Sequence, residues 1–308
     1  MQLKYTKSPL VVKTVSECRG NEFENLGSCF QELGFCMMEL GLCLARICDK
    51  AIGGNDLEMS LLDSCGAKGR LIHYHSHLDA LLLKQHERSR ATSKKRAGNV
   101  KPLEGSELNS IACDVNPGGI HSNLWQQWHY DYGIFTVLTT PFFILPSYSE
   151  ESKTENPFPS CCFDECQSPT GHTCLQIYDP NRKRAIMVKA PPESFIIQVG
   201  EAADIISKGK LRATLHSVHR PSEFENLSRE TFVVFLQPAW TKTFSISDRE
   251  CLVEPRQSEQ DNDNLSQEIN KIVPPLSSRL KEGMTFAEFS RETTKQYYGG
   301  SGLQSNNR

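Results

Sequence analysis

Apolar residues recur at positions 26, 30, 33, 37, 40, 44 and 47 of the chain, in alternating steps of four and three. That spacing predicts an amphipathic helix with one face against a core, closed by Gly53–Gly54. Cys29, Cys36 and Cys43 fall seven apart beside the stripe, and the expectation is buried helix thiols rather than a ladder of ligands. The stretch "RLIHYHSHLDALLL" (70–83) reads as a short strand followed by a helical turn or two. Residues 84–101 carry seven Lys/Arg against one Glu with no apolar period, which predicts a surface loop.

From Trp128 the period changes from helical to strand-like. "IFTVLTTPFFIL", "TCLQIYD", "AIMVKA", "SFIIQVG", "ATLHSV" and "TFVVFLQP" are short β-branched and aromatic runs separated by Gly, Pro, Asp and Asn. "DPNRK" (179–183) between two of them predicts a hairpin turn. Many short strands at such spacing predict a sandwich, barrel or jelly roll, so the fold class is mainly β with flanking helices. A polar insertion interrupts the series at 147–172. "EPRQSEQDNDN" (254–264) reads as a linker, and Thr285 with Glu288 forms a capping box that starts one last helix. The organisation expected is therefore a helical region with a strand and a basic loop (1–127), a β core (128–245), and a linker with a C-terminal helix (246–308).

Composition narrows the class only slightly. A 308-residue chain with 38% hydrophobic and 23% charged residues is ordinary for a soluble globular protein. A net charge of −3 and a pI near 6.3 give no chain-wide attraction to nucleic acid or to a membrane surface. No apolar run reaches about 18 residues, and the opening "MQLKYTKSPLVVKTVSECRG" has no apolar core of signal-peptide length. The expectation is a cytoplasmic monomer acting on a small molecule. Lys94–Lys95–Arg96 leaves a nuclear address open, and the basic loop lacks the interleaved aromatics that would stack bases. Twelve cysteines scattered over the first 251 residues read as reduced thiols.

The chemistry concentrates in "LWQQWHYDYGIFTVLTT". His129 and Asp131 are two apart, so a strand would set both on one face, as for two ligands of one ion. A third ligand is available in "GKLRATLHSVHRPSEFENLSRETFVVFLQP", where His216 sits in a strand-like segment and His219 would point to the other face. Two histidines and one carboxylate, with positions left open, make the facial triad of non-haem Fe(II) oxygenases, whereas a structural zinc site is closed by four ligands. Arg229 and Thr231 are again two apart, and the strand they enter is otherwise apolar. An arginine there is costly unless an anion meets it, and guanidinium with a neighbouring hydroxyl suits a carboxylate. The alternative is an internal ion pair or an arginine at a strand end.

Taken together, His129-x-Asp131, His216 and Arg229-x-Thr231 in "RETFVVFLQP" resemble the plant branch of the 2-oxoglutarate- and Fe(II)-dependent dioxygenases, with an isopenicillin-N-synthase-like fold. "WHYDYGIFTVL" looks like the family's first-ligand strand, and "SFIIQVGEAADIISKGKLRATLHSV" like its strand and turn leading to the distal histidine. The resemblance covers about 128–240. It implies a double-stranded β-helix (jelly roll) core, Fe(II) on His129, Asp131 and His216, and O₂ as oxidant. It also implies 2-oxoglutarate as co-substrate, its distal carboxylate on Arg229 and Thr231, with ascorbate as an in vitro reductant. "LIHYHS" stands where the family has Asn-Tyr-Tyr-Pro, so Tyr74 or His75 is placed near the co-substrate. Thr231 replaces the usual serine, and the family's N-terminal strand and helix set is not clearly present.

Cys161, Cys162, Cys166, His172 and Cys174 in "CCFDECQSPTGHTC" have the residue types of a zinc knuckle but lack paired Cys-x₂-Cys units, so surface thiols are expected. Two functions stay open. One is an active oxygenase that oxidises an organic substrate, by hydroxylation in the simplest case, and releases succinate and CO₂. The other is a binding or regulatory module that keeps the fold without turnover. A cupin-like metal protein without a keto acid would not explain Arg229 and Thr231.

Overall fold

A computed structural model of the protein describes residues 2–4, 25–64, 66–77, 79, 123–147, 162–245 and 264–298. Its core is two antiparallel sheets. The larger runs β1 (Gln2–Lys4), β2 (Gly66–Tyr74), β11 (Ser228–Leu236), β4 (Phe135–Thr139), β9 (Phe195–Val199), and β5 (Phe142–Ser147) pairs both β11 and β6 (Cys162–Cys166). The smaller runs β3 (Leu124–His129), β10 (His216–His219), β7 (Leu175–Asp179), β8 (Arg184–Met187). Along the chain, β2, β4, β9 and β11 of the larger sheet alternate with β3, the β7–β8 pair and β10 of the smaller. This order is that of a double-stranded β-helix, the jelly roll expected from the strand pattern.

Strand parity decides which side chains meet what. On β11, Phe232, Val234 and Leu236 pack with Met37, Met38, Leu42 and Ala45 of α1 (Leu26–Ile52) and with Leu57 and Leu61 of α2 (Asp56–Ser64). Arg229, Thr231, Val233 and Phe235, on the opposite face, line a cavity between the sheets. Among the described residues four further helices follow: α3 (Glu201–Ile206), α4 (Asn264–Ile272), α5 (Leu276–Arg279) and α6 (Phe286–Tyr298). Ile269 of α4 and Tyr297 of α6 form a second cluster with Trp128 and Leu215 beside the smaller sheet.

The expected helix is present, but its buried line is rotated. The deepest positions are Gly34, Met37, Met38, Gly41, Leu42, Ala45 and Asp49, while Leu26 and Ile47 are 46% and 63% exposed. Cys29, Cys36 and Cys43 are exposed rather than buried. Glycine explains the rotation, because it scores as neutral in an apolar pattern yet permits close approach. A Cβ on Gly41 would lie 2.0 Å from Leu236 Cδ1, so α1 meets the sheet along its glycine line.

Other expectations fare differently. Thr285 N and Oγ1 donate to Glu288 Oε2 and Glu288 N donates to Thr285 Oγ1, which is the capping box. The β7–β8 hairpin turns at 179–184, with Asp179 Oδ1 accepting from Asn181 N and Arg182 N. Cys174 is 0% exposed, packed with Phe143, Leu175, Val218 and Leu227, and so is no surface thiol. The polar insertion contributes β6 to the larger sheet. The basic loop 84–101, nearly all of the linker 254–264, and the helical turn after β2 apart from His77 and Asp79 lie outside the described residues.

Glycine also governs the turn between β3 and β4. Ile134 N donates to Leu236 O at 2.8 Å and Gly200 N to Ile134 O at 2.9 Å. The first amides of α3 complete the clamp, Glu201 N to Asp131 O at 2.7 Å and Ala202 N to Gly133 O at 3.0 Å. These are the N–H groups that a helix start leaves unpaired. A Cβ on Gly200 would sit 2.2 Å from Gly133 O, against backbone that cannot rotate away. Gly200→Ala is therefore expected to destabilise the fold by at least about 1–3 kcal/mol in urea denaturation. Gly27→Ala, where nothing lies within 4 Å, should be neutral or stabilising by up to about 1 kcal/mol.

Candidate metal centre and its cavity

His129 ends β3, and Asp131 lies beyond the strand in the clamped turn, so the turn rather than strand alternation brings their side chains together. His216 opens β10 and is the cross-strand partner of His129. Asp131 Oδ1 is 3.8 Å from His129 Nε2, and its Oδ2 is 3.8 Å from His216 Nε2. The two imidazole rings lie 4.2 Å apart. One ligand atom from each of the three residues falls within 4.8 Å of the others, close enough for a single ion to touch all three.

Hydrogen bonds fix which ring nitrogens face that point. His129 Nδ1 lies 2.7 Å from Gln127 O, and His216 Nδ1 lies 3.0 Å from Thr214 O. A carbonyl only accepts, so each Nδ1 carries a proton, and each Nε2, the lone-pair nitrogen of the neutral imidazole, faces Asp131. This is the arrangement by which outer partners orient ligating histidines. Thr136 Oγ1 donates to Asp131 Oδ2 at 2.6 Å and holds the carboxylate in turn. Burial, and then the neighbouring His216, push the His129 pKa down to about 4 against the pull of Asp131. His129 is thus neutral at ordinary pH, the form that binds metal. His219 is not brought into this cluster, and its buried Nδ1 has no hydrogen-bond partner among the described residues.

The three residues border a cavity of about 210 Å³ that also reaches Arg229, Thr231 and Tyr74. Arg229 is 1% exposed, and among the described residues no carboxylate lies within 4 Å of it. Its Nε donates to Thr173 O at 3.0 Å, its Cζ is 5.4 Å from the Tyr74 ring, and burial pushes its pKa down. The internal ion pair held open by the sequence is not formed among these residues. Thr231 Oγ1 donates to Thr139 O at 3.1 Å, so its proton is already engaged and a ligand there would compete for it. Among the described residues the cysteine-rich segment forms no metal-holding cluster; His172 instead caps its own turn, accepting from Cys174 N.

Sequence reasoning missed part of the wall. Gln198 of β9 borders the cavity with a buried Nε2 that has no hydrogen-bond partner among the described residues; its one signal is a lone amide in an apolar strand. Thr293, Thr294 and Tyr297 reach the cavity from α6, which carries no readable sign of this. That helix is anchored by Arg279, fully buried, which donates through Nη1 and Nη2 to Glu201 and through Nη1 to Thr293 Oγ1. Tyr130 N also donates to Tyr297 Oη at 3.3 Å.

No family model and no curated protein matches the chain. Solved structures resemble it at low identity. JOX2 in complex with 2OG, Fe and JA has a TM-score of 0.49 at 16% identity, over 98% of this chain and 60% of that one. A 2OG-Fe(II) oxygenase family protein from Caulobacter crescentus has a TM-score of 0.48 at 13% identity, over 96% and 68%. A full-length Neurospora crassa protein in complex with alpha-KG has a TM-score of 0.47 at 15% identity, over 94% of this chain, which spans 63% of that protein's length. Overlap of this degree does not reach the chemistry, and the jelly roll is established by the strand order itself.

Glu201 links the anchor of α6 to the clamp on Asp131, so removing its partner should be felt at the cavity. Arg279→Met leaves a buried carboxylate unpaired and is expected to cost about 3–5 kcal/mol of stability, measured by chemical denaturation. Arg279→Met combined with Glu201→Leu should recover most of that loss.

Proposed function

We propose that the chain is a 2-oxoglutarate- and Fe(II)-dependent oxygenase that oxidises a small organic substrate. The observation that carries this reading is the pairing of two features in one cavity. The first is a His/His/Asp cluster with both Nε2 atoms turned toward the carboxylate. The second is a buried arginine with no carboxylate of its own among the described residues. Neither feature serves packing, and a keto acid with a distal carboxylate fits both.

The donor set suits Fe(II): two imidazoles and one carboxylate hold it without closing its coordination. When bound, iron with 2-oxoglutarate and O₂ supplies oxidation of a C–H bond, with succinate and CO₂ as co-products. This chain's own residues bind and orient. His129, Asp131 and His216 are the proposed ligands, with Gln127 O and Thr214 O holding the two rings. Arg229 offers Nη1 and Nη2 to the distal carboxylate of the co-substrate, and Thr231 adds its hydroxyl by exchanging its bond to Thr139 O. The Tyr74 ring lies beside that guanidinium. Val233, Leu138 and Leu175 give the cavity apolar walls that limit water. Lys68 and Arg70 line the same cavity from alternate positions of β2, which favours a substrate with an anionic group.

The test is succinate release from 2-oxoglutarate with Fe(II) and ascorbate across a panel of organic acids. Binding of Fe(II) and 2-oxoglutarate without succinate under any substrate would support the binding-module reading instead. His216→Ala is expected to abolish Fe(II) binding, and His219→Ala to leave it intact in the same titration. By calorimetry under anaerobic Fe(II), Arg229→Gln should weaken 2-oxoglutarate at least roughly tenfold, since a bond to a charged group contributes about 1.5–3 kcal/mol. Thr231→Ser should match the parent and Thr231→Val fall between.

A further inference from the structure

A second set of ligand-type side chains lies on the other face of the larger sheet. His73 and His75 flank Tyr74 on β2 and its exit, so they project away from the cavity that Tyr74 borders. Asp79 folds back over them. One ligand atom from each of His73, His75 and Asp79 falls within 4.8 Å of the others.

Three observations make this more than a chance grouping. His73 Nδ1 lies 2.7 Å from Glu230 Oε1, and Glu230 is its cross-strand partner on β11. A carboxylate accepts a hydrogen bond from the Nδ1–H, so Nε2 is the lone-pair nitrogen of the neutral ring, and that atom faces Asp79 Oδ2 at 3.8 Å. The carboxylate behind a histidine is the support that ligating imidazoles commonly have. Asp79 is held as well, its Oδ2 accepting from Ser76 N at 3.0 Å and Ser228 Oγ at 2.5 Å. His75 supplies the independent sign: its Nδ1 is buried and has no hydrogen-bond partner among the described residues, while its ring sits 4.5 Å from that of His73. A buried ring nitrogen without a partner carries a desolvation cost that a metal ion would remove.

We infer that His73, His75 and Asp79 form a second divalent-metal site, oriented by Glu230 and separate from the cavity, which takes zinc. Two imidazoles and one carboxylate are also donors that Zn²⁺ accepts in an open site, where water takes the fourth position that a closed structural site fills with protein. An ion there ties the end of β2 to Asp79, and through Ser228 to the residue before Arg229. It would brace the wall on which Tyr74 and Arg229 stand.

The experiment uses the full chain carrying His129→Ala and His216→Ala, which silences the first cluster, titrated with Zn²⁺ alone by calorimetry and checked for folding by circular dichroism. One zinc ion per chain is expected. His75→Gln in that background should remove it, and Glu230→Gln should weaken it by about tenfold or more, since Glu230 only orients. Absence of zinc binding in the folded background variant overturns the inference. So does zinc binding unchanged by His73→Gln together with His75→Gln, which would place the ion on other ligands such as the cysteines. If the background variant does not fold, the parent is compared with His75→Gln, and a loss of one zinc ion per chain is expected. Equal zinc content in those two proteins would likewise overturn it. Because the first cluster is absent from the main experiment, its result is independent of the proposed oxygenase activity.

Discussion

The turn from Asp131 to Ile134 is held from two sides by backbone hydrogen bonds, and the candidate site depends on that clamp. Amides of Gly200, Glu201 and Ala202 reach Ile134, Asp131 and Gly133, while Ile134 N reaches Leu236 O. Each such bond contributes on the order of 1 kcal/mol, yet their main effect is geometric. Asp131 lies outside any strand, and a free turn would let its carboxylate wander. The clamp sets it 3.8 Å from both His129 Nε2 and His216 Nε2. Two glycines make the approach feasible, since a side chain on either Gly133 or Gly200 would run into backbone oxygen.

The jelly roll supplies the rest by parity and register. Cross-strand pairing of His216 with His129 brings two candidate ligands from distant parts of the chain together in the smaller sheet. The larger sheet contributes the opposite wall, where pairing of Arg229 with Tyr74 puts a guanidinium beside an aromatic ring. The other parity of β11 binds α1, so one strand serves both the core and the cavity. The buried Glu201–Arg279 pair then fastens the C-terminal helices beside the cavity, adding Thr293, Thr294 and Tyr297 to the lining.

Much of this was legible in the sequence because it rests on local periodicity. Strand alternation in "RETFVVFLQP" correctly separated Arg229 and Thr231 from Phe232 and Val234. The choice of His216 over His219 followed from the same two-residue period. Alternation gave the right neighbours for the wrong reason at His129 and Asp131, where a turn does the work. What escaped notice was non-local. The rotation of α1 that exposes Cys29, Cys36 and Cys43 comes from Gly41 meeting Leu236, nearly 200 residues away. Burial of Cys174 and the reach of α6 into the cavity likewise depend on tertiary neighbours that no window of sequence contains.

The central claim is that one cavity holds a metal at His129, Asp131 and His216 and a carboxylate at Arg229. Diffraction at the iron absorption edge, from crystals grown anaerobically with Fe(II) and 2-oxoglutarate, tests it most directly. An anomalous peak is expected about 2.0–2.2 Å from His129 Nε2, His216 Nε2 and an Asp131 oxygen, with continuous density from that peak to the Arg229 guanidinium. A cavity with no iron peak between those three residues, or iron there with the keto acid away from Arg229, would contradict it.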